Sequence, residues 1–370
     1  MRLVKIMEKI RRFIECLIPV TACNLKCSYC YVIQRNKNEG NMPKLEYPPE
    51  HIGRALTKER LGGCCYFSLC GAGETLLPRE TLLIVKELLH NGHYVNITTN
   101  GTLTQRFKDL LGMLNKDELE RLHFAFSFHY TELERVKKID EFFDNINRIK
   151  KAGCSFVVQL NLCDEYISHI EEIKKICKEN IGAYPQIAAT RRERNLSDKV
   201  ELMTEYSKEE YTEYGQVFES KLFDFTMDNF NVKRKEYCYA GDWSFVLNLQ
   251  TGKMNRCYGC SVSYNIFENI NRPIPFAAIG TKCKSLFCMN SSHFMSLGII
   301  PDIKTPTYAE LRNRITDDGE EWYSPRMKAF LSEKLENTNS RKKTLNTILA
   351  NLRESLFTII VKVYSFIYKV

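Results

Sequence analysis

Phe13-Ile14-Glu15-Cys16-Leu17-Ile18-Pro19-Val20-Thr21-Ala22-Cys23-Asn24-Leu25-Lys26-Cys27-Ser28-Tyr29-Cys30 is an apolar run that ends in three cysteines. Their spacing is C-x3-C-x2-C, on a loop directly after a predicted strand, Phe13–Val20. Three thiolates on so short a loop can converge on one metal centre. A structural zinc site is normally closed by four ligands. A four-iron cluster held by three cysteines instead leaves one iron open for a substrate or cosubstrate to chelate. Zinc is the competing reading, and ligand number favours iron–sulfur.

Working outward, five further β-rich runs follow at Cys64–Leu69, Tyr94–Thr99, Leu122–Phe128, Phe156–Leu162 and Gln186–Ala189. Helical segments separate them. Pro78 opens one through Leu82, Val85 and Leu88 that ends near Gly92. Glu134–Gly153 places Ile139, Phe142, Phe143, Ile146 and Ile149 on one face. Strands alternating with helices imply parallel pairing through right-handed crossovers, closed into most of a barrel or left open as a doubly wound sheet. Either way the site belongs at the carboxyl ends of the strands. Those ends carry Cys23, Gly71-Ala72-Gly73-Glu74, Thr99-Asn100-Gly101, Ser127-Phe128-His129 and Asn161.

Composition bounds the rest. The 370 residues suit two domains, and 44% hydrophobic with 26% charged residues is ordinary for a globular protein. The +8 net charge is spread out, and no nucleic-acid-binding signature is present, so nucleic acid is not an expected partner. Fifteen cysteines in a chain this long argue against a disulfide scaffold and for reduced thiols. The start resembles a lipoprotein signal, but Glu15 breaks its apolar segment and Cys27 and Cys30 would go unexplained. No run approaches a membrane span, so a cytoplasmic location is expected. With 22 residues ahead of Cys23, no separate N-terminal peptide-recognition domain is expected.

The C-x3-C-x2-C motif, with an aromatic residue before its last cysteine, resembles the signature of the radical S-adenosylmethionine (SAM) superfamily. The likeness runs in order across Phe13–Thr190. Cys70-Gly71-Ala72-Gly73-Glu74 resembles that family's glycine–glycine–glutamate motif, which meets the SAM amino group, with Ala72 at the first glycine position and Thr75 where proline is common. The resemblance implies cluster ligation by Cys23, Cys27 and Cys30, and SAM contacts from Gly73 and Glu74. It also implies contacts from Ser127 to the ribose or methionine part, from the Tyr29 backbone to adenine, and from Asn161 to the ribose. The implied fold is α/β, a partial (β/α)6 TIM-type barrel. The implied chemistry is reductive SAM cleavage to a 5′-deoxyadenosyl radical, with an electron donor such as flavodoxin or ferredoxin.

A second cysteine-rich segment runs from Cys238 to Cys288. Trp243–Leu249 reads as a strand, and Gln250-Thr251-Gly252 as a hairpin turn before Met254. The interval C-x13-G-x4-C from Cys238 to Cys257 resembles the shortened auxiliary-cluster domain of SPASM/twitch enzymes. That resemblance implies one further [4Fe-4S] cluster on Cys238, Cys257, Cys283 and Cys288, with Cys260 spare, although its C-x2-C spacing with Cys257 makes it a rival. A zinc ribbon is the competing reading. The other seven cysteines read as core, Cys163 being the one placed near the rim. Expected boundaries are 12–230 for the radical SAM core, 231–300 for a small C-terminal iron–sulfur domain and 301–370 for a helical tail. The organic substrate is a small molecule or a peptide, the latter as in a peptide maturase. The reading of another class is a zinc-stapled binding protein without turnover. In the tail, Leu345, Ile348, Leu349, Leu352 and Leu356 fall at helical spacing behind Arg341, Lys342 and Lys343. This amphipathic helix is expected to dock on a partner, on a membrane surface or on the chain's own barrel.

Overall fold

Strands β1 (Arg12–Ile18), β2 (Cys65–Gly71), β3 (Tyr94–Thr99), β4 (Leu122–Ser127), β5 (Ser155–Leu162) and β6 (Gln186–Ala189) pair in sequence order, all parallel. The computed structural model describes residues 8–192, 200–283, 285, 287–288, 290–342 and 344–368, with side chains as far as Val361. The strands are near-continuous apolar runs because helices cover the sheet. Phe67, Leu69, Ile97, Phe124, Phe126 and Val158 are all fully buried. Helices Arg79–His90, Thr104–Gly112, Ile139–Lys151 and Ile170–Ile181 lie between successive strands. The result is a mixed α/β fold with a partial barrel of parallel strands and a helical C-terminal tail.

One predicted helix is two. Within Glu134–Gly153 one helix, Tyr130–Arg135, stops and another, Ile139–Lys151, begins. Lys137 takes a positive φ of 56°, and Lys138 N reaches back to Leu133 O at 2.8 Å, which closes the first helix. The stretch after Ser207 divides likewise into Lys208–Gln216 and Lys221–Asp228, with Glu219 at φ 54°. Ser220 caps the second by accepting from Phe223 N. Arg191–Arg192 forms β7 against β8 (Glu201–Leu202).

The sheet does not stop at residue 230. Strand β9 (Ser244–Asn248) lies parallel to β1, with Phe13 opposite Ser244 and Leu17 opposite Asn248. Strands β10 (Lys253–Asn255) and β11 (Ser263–Asn265) follow antiparallel, giving the order β11-β10-β9-β1-β2-β3-β4-β5-β6. The β9–β10 turn depends on Gly252 (φ +72°), where a Cβ would sit 2.6 Å from Asn265 Oδ1. The last helix, Leu345–Tyr368, packs beside this end of the sheet. Among the described residues no helix is long and apolar enough to cross a membrane.

Candidate active site

The cysteine loop is braced from the ends of three strands. After β3, Asn100 Nδ2 donates to Asn24 Oδ1 at 2.8 Å and points at Cys23 Sγ at 3.9 Å, and Asn24 Nδ2 donates to Thr102 Oγ1 at 2.7 Å. After β4, Glu132 Oε2 accepts from Lys26 N at 2.6 Å. His129 Nδ1 meets the Tyr29 hydroxyl at 2.6 Å, and Tyr166, after β5, reaches the same hydroxyl at 3.1 Å. Burial lowers His129 to about 4, so its ring is neutral and can share that bond.

The loop after β2 is laid directly on the chain entering Cys23. Gly73 N donates to Val20 O at 2.6 Å and Glu74 N to Ala22 O at 2.9 Å. A Cβ on Gly73 would stand 2.0 Å from Ala22 O, so only glycine fits. Glu74 is 2% exposed, and both its carboxylate oxygens are occupied. Oε1 accepts from Thr99 Oγ1 at 2.7 Å and Leu76 N at 3.0 Å, and Oε2 accepts from Asn100 N at 2.8 Å. Thr75 Oγ1 accepts from Gly71 N at 3.0 Å, a bond that proline at this position could not make.

These elements enclose a cavity of about 440 Å³. Cys23, Cys27, Cys30 and Tyr29 line it together with Cys70, Gly73, Glu74, Thr99, Asn100, Ser127, His129 and Asn161. Every residue the resemblance assigned to SAM therefore borders one space, within the usual size range of ligand sites. Burial pushes the Cys27 thiol up, and the charges of Cys23, Cys30 and Glu132 push it further. Burial likewise raises Cys23. Raised thiols at Cys23 and Cys27 suit a cationic iron centre, which would draw them into the thiolate form. The donor set and the cavity behind it fit a cluster with a bound cosubstrate.

A second, polar cavity of about 210 Å³ adjoins the first, sharing Asn161, Ala189 and Arg191. Gln159, Asn229, Asn231, Asn290, His293 and Cys288 complete much of its lining. Behind it lies Glu15, on β1 and 4% exposed. Asn290 Nδ2 donates to Glu15 Oε2 at 3.3 Å, Cys70 Sγ lies 3.6 Å from Oε1, and Tyr258 hydrogen-bonds the same carboxyl. Burial raises Glu15 from 4.5 to about 7. Sequence reading placed Cys70 among the core thiols and gave Glu15 no role beyond breaking an apolar run. Alternation was the one available signal, since it turns Glu15 of β1 inward. Cys163, expected near the rim, is buried.

The second cysteine set gathers around the β9–β10 hairpin. Cys238 pairs with Gly280 through N–H···O bonds of 3.1 and 2.9 Å. Burial drives its thiol well up, reinforced by Cys288, Cys257 and Cys283. Burial pushes Cys257 and Cys288 up to about 12, and each also feels Cys283. Cys260 belongs to the same group: it is the charged neighbour that raises Cys257 most and it also feels Cys283, while Arg256, paired with Glu354, pulls its thiol down against burial. Neither these thiols nor Cys23, Cys27 and Cys30 meet at a point: among the described residues no three His, Cys, Asp or Glu side chains are placed to hold a single ion.

Residues 17–177, the strands and loops that build the first cavity, match the sequence model of the radical SAM superfamily. The chain carries a radical SAM domain. No curated protein matches the sequence. Among solved structures, this chain is similar to SuiB of Streptococcus suis at 14% identity and a TM-score of 0.48, over 70% of this chain and 64% of SuiB. It thus spans less than two thirds of SuiB's length. It is also similar to anSMEcpe with bound AdoMet at 15% identity and a TM-score of 0.47, over 95% of this chain and 99% of that one. BtrN in complex with AdoMet and 2-DOIA gives 14% identity and a TM-score of 0.34, over 90% and 92%.

Proposed function

We propose that the chain is a radical SAM enzyme that abstracts hydrogen from a polar organic substrate, either a small molecule or a side chain of a peptide. The observation that carries this reading is the single cavity joining the C-x3-C-x2-C loop to the ends of β2 through β5. A four-iron cluster on Cys23, Cys27 and Cys30, with SAM bound, would supply a 5′-deoxyadenosyl radical once an external donor such as flavodoxin or ferredoxin delivers an electron. In this reading Gly73 and Glu74 act through the chain. Gly73 lets the loop lie on Ala22, and Glu74 fixes Thr99 and Asn100, which in turn hold Asn24 beside Cys23. Tyr29, Ser127 and Asn161 border the space for SAM, and the second cavity is the substrate's seat, on the way to Cys288. Cys238, Cys257, Cys283 and Cys288 are proposed to hold one auxiliary cluster in a region, 231–300, that shares its sheet with the core at 12–230.

Anaerobic reconstitution should load iron and sulfide for two clusters. Changing Cys23, Cys27 and Cys30 together to Ala should leave half the iron and abolish 5′-deoxyadenosine formation from SAM under dithionite. Cys257→Ala should lose the other half and still cleave SAM. A colourless protein that takes up zinc and no iron would instead establish the zinc-stapled binding protein.

A further inference from the structure

The helix Leu345–Tyr368 lies with its polar side against the protein. Glu354 Oε1 accepts from Ser261 N at 2.7 Å, Oε2 from Val262 N at 3.3 Å, and the carboxylate pairs with Arg256 at 3.5 Å. Asn351 accepts from Arg256 Nη1 at 2.7 Å and donates to Ile279 O at 3.2 Å. Thr347 and Ala350 are buried beside them. The opposite side carries Leu345, Ile348, Leu349, Leu352 and Leu356, continued by Ile359 and Ile360, all between 46% and 69% exposed. At 100° per residue these seven fall in one stripe about 120° wide. An amphipathic helix ordinarily turns that stripe to the core, and this one is inverted.

Charge selects what covers it. Residues 341–370 contain six Lys and Arg against one acidic residue, Glu354, which faces inward to Arg256; of the six, Arg341 is paired with Asp302 and Glu336. Lys342, just ahead of the helix, and Arg353, next to the stripe on the helical wheel, are exposed. A second copy of the helix would set these cations against one another with no outward carboxylate between them. An anionic lipid surface accepts both the cations and the apolar stripe. The helix is not apolar enough to cross a bilayer, so the geometry is one of lying in the interface.

We propose that the Leu345–Ile360 stripe seats this protein on an anionic membrane surface, with Lys342 and Arg353 against the headgroups. The reading is independent of the chemistry assigned to the cavities. Full-length, iron-loaded protein should co-sediment with vesicles of phosphatidylcholine plus phosphatidylglycerol. Binding should weaken ~tenfold or more on phosphatidylcholine alone, and again in high salt. Leu349→Asp with Leu352→Asp should abolish vesicle binding and leave the unfolding midpoint and iron content unchanged, because both side chains are exposed. Two results overturn the proposal: no binding to either vesicle, or binding that the double substitution leaves intact. A third does so as well. Concentration-dependent dimers in sedimentation velocity, dissociated by the same double substitution without vesicle binding, would assign the stripe to a second copy.

Discussion

A carboxyl buried as deeply as Glu15 holds its proton to an unusually high pH, and its bonds from Cys70 and Tyr258 offset only part of that burial. Its folded value, about 7, lies above its ordinary 4.5. Between those values the unfolded chain releases a proton that the folded chain keeps, so stability falls as pH rises through the window. The loss is complete above about pH 7 and amounts to ~3 kcal/mol at most. Glu15→Gln should therefore gain on the wild type from pH 4.5 upward and level off above pH 7. Urea midpoints measured across pH 4–8 will read this, and parallel curves would show that Glu15 titrates normally. The same residue marks a limit of sequence reading, since a lone acid in an apolar run looks like a defect. Gly73 and Glu74 were legible as a motif, but not in the way they work. The glycine answers to Ala22 O and the glutamate to Thr99 and Asn100, contacts between segments far apart in sequence.

Elements were legible wherever one local signal dominated. Tyr94–Thr99 and Gln186–Ala189 are read from their apolar runs with the observed bounds, because buried parallel strands have no polar face to confuse the pattern. The break at Lys137 was not legible, since apolar spacing continues through it and a lysine at positive φ gives no compositional warning. In the C-terminal helix the stripe was visible but the direction it faces was not. Glu354 decides that direction by binding two backbone N–H groups and Arg256. Glu354→Ala should leave Arg256, which is 3% exposed, with only Asn351 and Ala278 O as partners among the described residues, and cost ~2 kcal/mol. It should also lower iron retention at the Cys257 region while leaving SAM cleavage in place. Calorimetry with iron analysis on one preparation will test this, and unchanged iron would mean the helix only rests on the cysteine segment.

At the scale of the molecule, one sheet joins what the sequence divides into a core and an auxiliary region. The pairing of β9 with β1 is the reason, and it is the contact least accessible to sequence, with Leu17 and Asn248 separated by 231 positions. The iron-free chain should accordingly unfold in a single calorimetric transition across residues 12–300, with calorimetric and van't Hoff enthalpies equal. Two resolved transitions would show that the shared sheet is not a shared cooperative unit. The place of β1, between β2 and β9, also bears on how the protein is made. A ribosome adding ~5–20 residues per second completes β9 on the order of 10 to 50 s after β1. Throughout that interval one edge of β1 is open while the cysteine loop behind it is already outside the tunnel. The nascent chain thus passes through a long stage in which iron delivery to Cys23, Cys27 and Cys30 and protection of a bare strand edge fall to the same stretch of synthesis, and to whatever helper proteins attend it then.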